Sequence, residues 1–358
     1  MKFLQITTHY YHYLAQLYRS RPLAAFPYEE QLSAVLADGV SAVHMFAGEM
    51  GRLGYESTAV IGNALSLQRQ WALENGLPPP EGNDGMRAVV RLQVETFQPD
   101  VLYLQDPIVF DGRFLQSLNW MPRLVIAWRA ASIPDTTDWR GIDILLSSDP
   151  GCRRIGMERG ARRTLPFSPG FPVELAAAVG TPAPGPDLVF CGSLSPEHQA
   201  RRHLLTELSR WARAQGASAA FHILGPGETP PSGLEEHARP QLFGLDMYRA
   251  LGAARICINN HIDALGCRGQ NMRVFEATGS GGLLMTEADP SLDELFVAEK
   301  EVATYAGMDA LFEAMRWYLD HPRARDDVAK RGQDRCLRDH SRARRAAMLD
   351  ELIRSALG

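Results

Sequence analysis

Two charged residues in the C-terminal half have the spacing of a ligand site. Arg273 and Glu276 lie in "NMRVFEATGSGGLLMTE", residues 271–287, and on a helix they share one face. A carboxylate there can accept two hydrogen bonds from a vicinal diol such as a ribose, as an acidic residue does in dinucleotide-binding folds. The alternative is a local ion pair between the two side chains, which is common and weak.

A second feature is a strand-like run, "LVFC", that ends at Gly192 and precedes a helical pattern containing Arg201. A glycine at this point lets the backbone approach a phosphate, and a helix N-terminus supplies free N–H groups and a positive dipole. Alone, the pattern favours a tight turn with a solvated arginine. Gly192, Arg273 and Glu276 together favour a nucleotide-diphosphate site.

The N-terminal segment "TTHYYHYL" contains two candidate bases, His9 and His12, after the first strand-like run. A histidine titrates near neutrality, so either could act as a general base. An aromatic wall of a binding site, formed with Tyr10 and Tyr11, is an equal alternative, and so is a packed histidine. Asp106, at the end of "PDVLYLQD", is a further candidate base.

Strand-like runs alternate with helical patterns along the chain, which favours parallel sheets built from βαβ units. A Pro- and Gly-rich stretch, 180–187, separates two such series, and the pattern after residue 307 is helical. We therefore predict an α/β protein with two Rossmann-like, doubly wound domains facing a cleft and a helical C-terminal tail. Ligands would bind at the carboxyl ends of the strands. The apolar spacing of residues 29–54 predicts one helix.

Two further polar residues have expected places in this architecture. Arg129 directly follows the strand-like run "LVIAW", where it could contact a ligand. His340 lies in the helical tail and is expected to make a helix–helix contact. The sequence contains neither a GxGxxG fingerprint nor a GxxxxGK[ST] loop, so it offers no support for a classical NAD site or a P-loop.

The composition is that of an ordinary globular protein. The 358 residues are 45% hydrophobic and carry a net charge of -5, which implies no general attraction to nucleic acid or to an anionic membrane. The arginine-rich segment 335–345 is expected to be a solvated helix face, with peripheral contact to acidic lipid or a phosphorylated acceptor as the alternative. Five cysteines without a CxxC pair indicate a reducing compartment, and we predict a cytoplasmic protein without a transmembrane segment.

The stretch 271–287 resembles the donor-site motif of group 1 glycosyltransferases, and more closely that of their spore-maturation (CgeB-like) branch, with its R-x-F-E-A element before a small-residue helix end and an apolar strand. The similarity extends over roughly residues 140–345. It implies the GT-B fold. Residues 1–172 would form an acceptor domain, with the tail 341–358 packing back on it, and residues 173–340 would form the donor domain.

The resemblance also implies roles for individual residues. Glu276 would hold the ribose hydroxyls, Arg201 and the backbone of Gly192 would lie near the diphosphate, and Arg273 and Asn271 would line the same mouth. The segments expected to flank the base are "ILGPG", with Leu224 and Gly225, and "LFGLD", with Phe243 and Gly244.

Two departures from the family pattern affect the sugar side of the site. The wider family has a second acidic residue eight positions before Glu276, where this chain has Arg268. The glycine pair that often follows the first strand is replaced by "TTHYYHYL". We still expect the donor domain to have the fold of the family. The residues that contact the sugar and the stereochemical outcome of the transfer are open.

The resemblance thus implies a glycosyltransferase that moves a sugar from a UDP-, GDP- or dTDP-sugar to a hydroxyl of a glycan, lipid, metabolite or protein. Arginines and helix N-terminal N–H groups could stabilise the leaving diphosphate, and no DxD pair stands out, so we predict no required metal or other cofactor. One alternative is a catalytically silent, glycosyltransferase-like assembly or partner protein. Another is a nucleotide-sugar epimerase, which would need acid and base groups around the hexose. The oligomeric state is open.

Overall fold

The computed structural model describes residues 1–180, 183–194, 198–261 and 271–358. The chain divides into two units. The N-terminal unit comprises Met1–Ser168 and Ala343–Gly358, and the C-terminal unit comprises Pro169–Arg342. Arg268, the residue at the position of the family's second acid, lies outside the described residues.

The N-terminal unit is built on a six-stranded parallel sheet. Its strands are β1 (Lys2–Thr7), β2 (Glu56–Ile61), β3 (Val101–Leu104), β4 (Leu124–Trp128), β5 (Ile144–Ser147) and β6 (Arg163–Pro166). They are arranged in the order β2-β1-β3-β4-β5-β6. The side chains of β3 and β5 are buried throughout, because helices cover both faces of a parallel sheet.

Helices connect these strands. They are α1 (Tyr11–Ser20), α2 (Tyr28–Ala37), α3 (Ala47–Arg52), α4 (Leu65–Glu74), α5 (Gly82–Phe97), α6 (Gly112–Gln116) and α7 (Pro150–Glu158). The carboxylates of Asp111 and Asp149 accept backbone N–H groups at the starts of α6 and α7. The last helix of the chain, α14 (Arg342–Leu357), buries Ala346, Leu349 and Ile353 in the core of this unit.

The prediction of one helix over residues 29–54 is wrong. The helix α2 ends at Ala37, a 3-10 turn spans Ala42–His44, and α3 begins at Ala47. The break follows from the backbone at Gly39, whose φ is 81°, and at Ser41, whose φ is 55°. Left-handed residues cannot continue a right-handed helix.

The C-terminal unit repeats the architecture. Its strands are β7 (Leu188–Cys191), β8 (Ala219–Leu224), β9 (Ala238–Pro240), β10 (Ile256–Ile258), β11 (Leu283–Glu287) and β12 (Ala303–Tyr305). Its helices are α8 (Val173–Val179), α9 (Gln199–Gln215), α10 (Gly244–Ala253), α11 (Met272–Gly279), α12 (Met308–Asp320) and α13 (Pro322–Asp339). The strands form a parallel sheet in the order β12-β11-β10-β7-β8-β9.

These two sheets confirm the predicted pair of doubly wound α/β domains, and α12 to α14 confirm the helical C-terminal region. The core of the C-terminal unit lies where α9 and α12 cover one sheet face, with Leu205, Leu208 and Leu311 fully buried. Burial of each such leucine side chain contributes about 1.5–3 kcal/mol. None of the helices among the described residues is long and apolar enough to cross a bilayer.

The glycine-rich end of α11 has a packing explanation. Gly281 has a φ of 88°, which turns the chain out of the helix. A Cβ on Gly282 would lie 2.4 Å from the carbonyl oxygen of Leu251 and 2.6 Å from the Sγ of Cys257. Only glycine therefore lets β11 begin this close to α10 and β10.

We expect Gly282→Ala to lower the free energy of unfolding by about 1–3 kcal/mol, because the methyl group overlaps backbone that cannot move cheaply. Thermal unfolding should show a midpoint lower by roughly 3–10 °C. The control is Gly51→Ala in α3, where an added Cβ meets nothing within 4 Å. Equal midpoints for the two variants would contradict the packing explanation.

Candidate functional site

The strand order of the C-terminal sheet marks a switch point between β7 and β10. From β7 the chain proceeds outward through β8 and β9, and then returns to the other side of β7 with β10. In open α/β sheets, ligands bind at the carboxyl ends of the strands beside such a reversal. Gly192 and Ser193 follow β7 at this edge, and Asn259 and Asn260 follow β10.

Arg201 joins the two strand ends at the switch point. Its side chain is only 7% exposed. The Nη1 atom donates to the carbonyl oxygen of Ser193 at 2.8 Å, and the Nε atom donates to the Oδ1 of Asn260 at 2.9 Å. A Cβ added to Gly192 would lie 3.6 Å from that Nη1 and 3.0 Å from the Phe190 ring. The glycine and the arginine that the sequence singled out are therefore adjacent.

Asn271 lies directly before α11 and connects this network, through Asn259, to β11. Its Nδ2 donates to the Oδ1 of Asn259 at 3.0 Å and to the carbonyl oxygen of Asn260 at 3.2 Å. Asn259 in turn donates to the Oγ1 of Thr286 at 2.9 Å, and its carbonyl oxygen accepts from the Tyr305 hydroxyl at 2.9 Å. These hydrogen bonds thus join the loop after β10 to the start of α11 and to the strands β11 and β12. Arg201 connects the same network to the loop after β7.

In α11 the buried Glu276 forms an ion pair with the partly exposed Arg273. The Oε2 of Glu276 lies 2.8 Å from the Nη1 of Arg273, and the carboxylate also accepts a hydrogen bond from Tyr248 of α10. Burial raises the pKa of Glu276 above its ordinary value, and the charge of Arg273 and the Tyr248 hydrogen bond oppose that shift. Both residues lie within electrostatic range of Cys191, the last residue of β7. The local ion pair considered from the sequence is present, and it lies at the switch point.

The segments expected to flank a base follow β8 and β9. The N–H of Gly225, next to Leu224 at the end of β8, donates to the Glu228 carboxylate at 2.8 Å. Phe243 precedes α10, and Gly244 opens it with a φ of 52°. A cavity of about 460 Å³ opens beside Leu224, and its lining residues are Leu194, Arg202, Ile223, Leu224 and 227–231. Phe243 and Gly244 are not among the residues that line this cavity.

In the N-terminal unit the switch point lies between β1 and β3. His9 follows β1, and its backbone exchanges two hydrogen bonds with the side chain of Asn63, at 2.9 and 2.6 Å. The imidazole is 6% exposed and lies edge-on to the Tyr13 ring. Burial lowers the pKa of His9 to about 4, so the ring is neutral at physiological pH. Its Nδ1 is buried and has no hydrogen-bond partner among the described residues.

The other candidates of this unit lie around the same sheet edge. The carboxylate of Asp106 accepts from the Thr8 hydroxyl and from the N–H groups of Ile108 and Val109, so it closes the turn after β3. Burial lowers the pKa of Arg129, and the nearby charge of Asp106 opposes this effect. The guanidinium of Arg129 donates to carbonyl oxygens of its own loop.

His12 and His340 have different surroundings. The His12 ring, in the first turn of α1, lies 5.5 Å from the Tyr10 ring. His340 is buried against the rings of Phe275 and Phe296, and its Nε2 hydrogen-bonds to the carbonyl oxygen of Leu295 at 2.8 Å. His340 therefore packs within the C-terminal unit. In the described ranges, no group of three or more His, Cys, Asp or Glu side chains is placed to hold a metal ion.

Sequence reasoning did not select Asn259, Asn260 or His261 as site residues. The signal was the polar run "NNH" directly after the apolar strand "ICI". Polar residues at that point lie at the carboxyl edge of the sheet. The strand order was needed to show that this edge is the one beside β7.

Comparison with known proteins assigns the architecture. Among solved structures, HepE of Anabaena in complex with UDP-glucose superposes with a TM-score of 0.62 at 11% identity, over 99% of this chain and 100% of that one. A glycosyltransferase of Rickettsia africae gives 0.60 at 9% identity, over 99% and 98%. AviGT4, a glycosyltransferase involved in avilamycin A biosynthesis, gives 0.58 at 16%, over 100% and 98%. The chain has the GT-B fold.

The family comparison concerns the C-terminal unit and the last helix. Residues 201–351 match the family model described as glycosyl transferase-like. No curated protein matches the chain. The matched range begins at Arg201 and contains Asn271, Arg273 and Glu276, so it includes most of the switch-point network. The family match and the GT-B fold support a group 1-like glycosyltransferase and sugar transfer from a nucleotide-sugar donor.

We expect Arg201→Met to lower the free energy of unfolding by about 1–3 kcal/mol, because it leaves the buried side-chain oxygen of Asn260 without its donor and removes the hydrogen bond to the Ser193 carbonyl. Urea unfolding would measure the difference. Arg202→Met is the matched control, since Arg202 is exposed on the same helix and should change stability by at most about 0.5 kcal/mol. The bridging role is wrong if both variants unfold at the same urea concentration.

Proposed function

We propose that this protein transfers a sugar from a nucleotide-diphosphate sugar to an acceptor hydroxyl, with the donor bound by the C-terminal unit. The observation that carries the proposal is the convergence of Gly192, Arg201, Asn271 and the Arg273–Glu276 pair at the β7–β10 switch point. The match of residues 201–351 to a glycosyl transferase-like family supports it. We assign the finer family as the CgeB-like branch and the location as the cytoplasm on the sequence argument alone.

The Arg273–Glu276 pair supplies the means to bind the ribose. The carboxylate of Glu276 contacts Arg273 and Tyr248. A carboxylate has about four lone-pair positions, so acceptor capacity is left for a vicinal diol. The charge of Arg273 favours the ionised form of the buried carboxylate, which is the stronger acceptor. In this proposal the pair is both a structural contact and a binding element.

We place the diphosphate of the donor, which is bonded to the ribose, beside Arg201 and the loop formed by Gly192 and Ser193. The leaving nucleoside diphosphate develops negative charge as the glycosidic bond breaks, and a pre-positioned guanidinium and backbone N–H groups stabilise it. HepE has been crystallised with UDP and with UDP-glucose. We therefore place UDP first among the nucleotides, with GDP and dTDP as the alternatives.

Nucleotide binding is tested by thermal unfolding with UDP, GDP, dTDP and their sugar esters. A nucleotide at 100 times its Kd should add about 2.7 kcal/mol to the stability and raise the midpoint. We expect Glu276→Gln to remove this increase, because a neutral amide is a poorer acceptor for the diol. Each variant is compared with its own ligand-free midpoint, so a change in basal stability does not affect the result.

The control for this experiment is Glu235→Gln, an exposed substitution in the same unit that should keep the full shift. A shift that persists in Glu276→Gln would exclude Glu276 from the ribose site. A wild-type protein that responds to none of the nucleotides would contradict the transferase proposal.

We assign acceptor binding to the N-terminal unit and the role of base to His9. The ring is neutral, and its Nδ1 has no hydrogen-bond partner within the described ranges, so the imidazole can accept a proton. Asp106 suits the role less, because its carboxylate already accepts from Thr8 and two backbone N–H groups. The acceptor class, whether glycan, lipid, metabolite or protein, is open.

A base must be deprotonated to act. Since the pKa of His9 is about 4, kcat/KM should rise with pH through about 4 and be level by about pH 6. His9→Asn should lower kcat by about 10²–10⁴-fold, whereas His203→Asn, at an exposed position of α9, should not change it. An acidic limb near pH 6.5, or an active His9→Asn variant, would exclude His9 as the base.

One observation favours the second candidate, a catalytically silent partner protein. The Glu276 side chain is 4% exposed and already paired, as in a purely structural ion pair. Such a protein would bind no nucleotide sugar, so the same panel of nucleotides separates the two functions.

A further inference from the structure

His261 occupies a fixed position at the carboxyl end of β10. It directly follows Asn259 and Asn260, which the network around Arg201 and Asn271 holds in place. Its own N–H donates to the Oε2 of Glu287, at the end of β11, at 2.7 Å, and its carbonyl oxygen accepts from the side chain of Asn260 at 3.1 Å. The backbone of His261 is therefore held from both sides.

The imidazole of His261, in contrast, makes no hydrogen bond to any of the described residues. The residue is 8% exposed, and neither ring nitrogen has a hydrogen-bond partner in the part of the chain that the structure describes. A neutral imidazole has one donor and one acceptor nitrogen. Leaving such buried groups unpaired costs about 1–3 kcal/mol each, so an unpaired ring at this edge is more consistent with a ligand partner than with a structural role.

Asn271, whose amide contacts the backbone directly before His261, contributes a second unpaired atom. Its Nδ2 faces two acceptors, the Oδ1 of Asn259 and the carbonyl oxygen of Asn260, so the orientation of the amide is determined. Its Oδ1 must then be the atom that faces away, and it is buried without a partner among the described residues. This oxygen can only accept a hydrogen bond. A phosphate oxygen cannot satisfy it at neutral pH, whereas a hydroxyl can.

We propose that His261 and Asn271 form a subsite that binds a hydroxyl group of the donor's sugar. A sugar hydroxyl both donates and accepts, so it can donate to the Oδ1 of Asn271 and exchange a hydrogen bond with the His261 ring. The two residues are adjacent, because the Asn271 amide contacts the carbonyl group that precedes His261. The subsite rests on the proposed function, and it makes His261 a determinant of specificity for the sugar.

Calorimetry on the full chain tests the subsite, with each nucleotide and its sugar ester from the panel above. The measured quantity is the ratio of the Kd of the nucleotide to the Kd of the sugar nucleotide. We expect His261→Phe to lower this ratio at least about tenfold and to leave the Kd of the nucleotide within about twofold, because phenylalanine retains the ring and loses both nitrogens. His261→Gln restores a donor and an acceptor and should recover part of the ratio.

The control is His203→Phe, the same change at an exposed position of α9, which should alter neither Kd. Equal weakening of nucleotide and sugar nucleotide by His261→Phe would overturn the subsite, and so would an unchanged ratio. A wild-type protein that binds nucleotides but gains nothing from any sugar also overturns it. If the wild type binds no nucleotide at all, the proposed function itself fails, and the subsite fails with it.

Discussion

The hydrogen bonds of Asn260 are the constraint on which the C-terminal site depends. Its side-chain oxygen accepts from Arg201 and its carbonyl oxygen accepts from Asn271, so one residue connects α9, β10 and the start of α11. These groups are buried, and in a low-dielectric interior an unpaired amide or guanidinium is costly. The network therefore either forms completely or destabilises the unit. That property fixes the geometry into which a ligand would bind in the proposed function.

The position of this hydrogen-bond network follows from the geometry of a parallel sheet. A βαβ crossover brings every strand of the sheet out at the same edge, and the reversal of strand order between β7 and β10 leaves a gap in the helix layer there. Glycines at the end of α11 let β11 begin next to α10, so the strand that carries Thr286 and Glu287 lies close to β10. The sheet that stabilises the unit therefore also positions the polar residues at its carboxyl edge.

The two units use their switch points differently. At the N-terminal one, burial keeps His9 neutral, and the loops after β1 and β3 are joined through Thr8 and Asp106. At the C-terminal one, Arg273 and Glu276 form an ion pair. In the proposed function, His9 would accept the proton of the acceptor, whereas Glu276 would bind the ribose and Arg201 would lie at the diphosphate.

The sequence by itself determined the alternation of strands and helices and the helical end, because these depend on residues close together in the chain. It offered the pairing of Arg273 with Glu276 only as the alternative to a ribose site. The sequence-based prediction was wrong where left-handed backbone interrupts an apolar pattern of helical spacing, as between Ala37 and Ala47. It selected Gly192, Arg201, Asn271 and Glu276 one by one but passed over Asn259, Asn260 and His261. Only the tertiary structure showed that these residues share one sheet edge, because strand order and the hydrogen bonds between distant loops leave no periodic trace in the sequence.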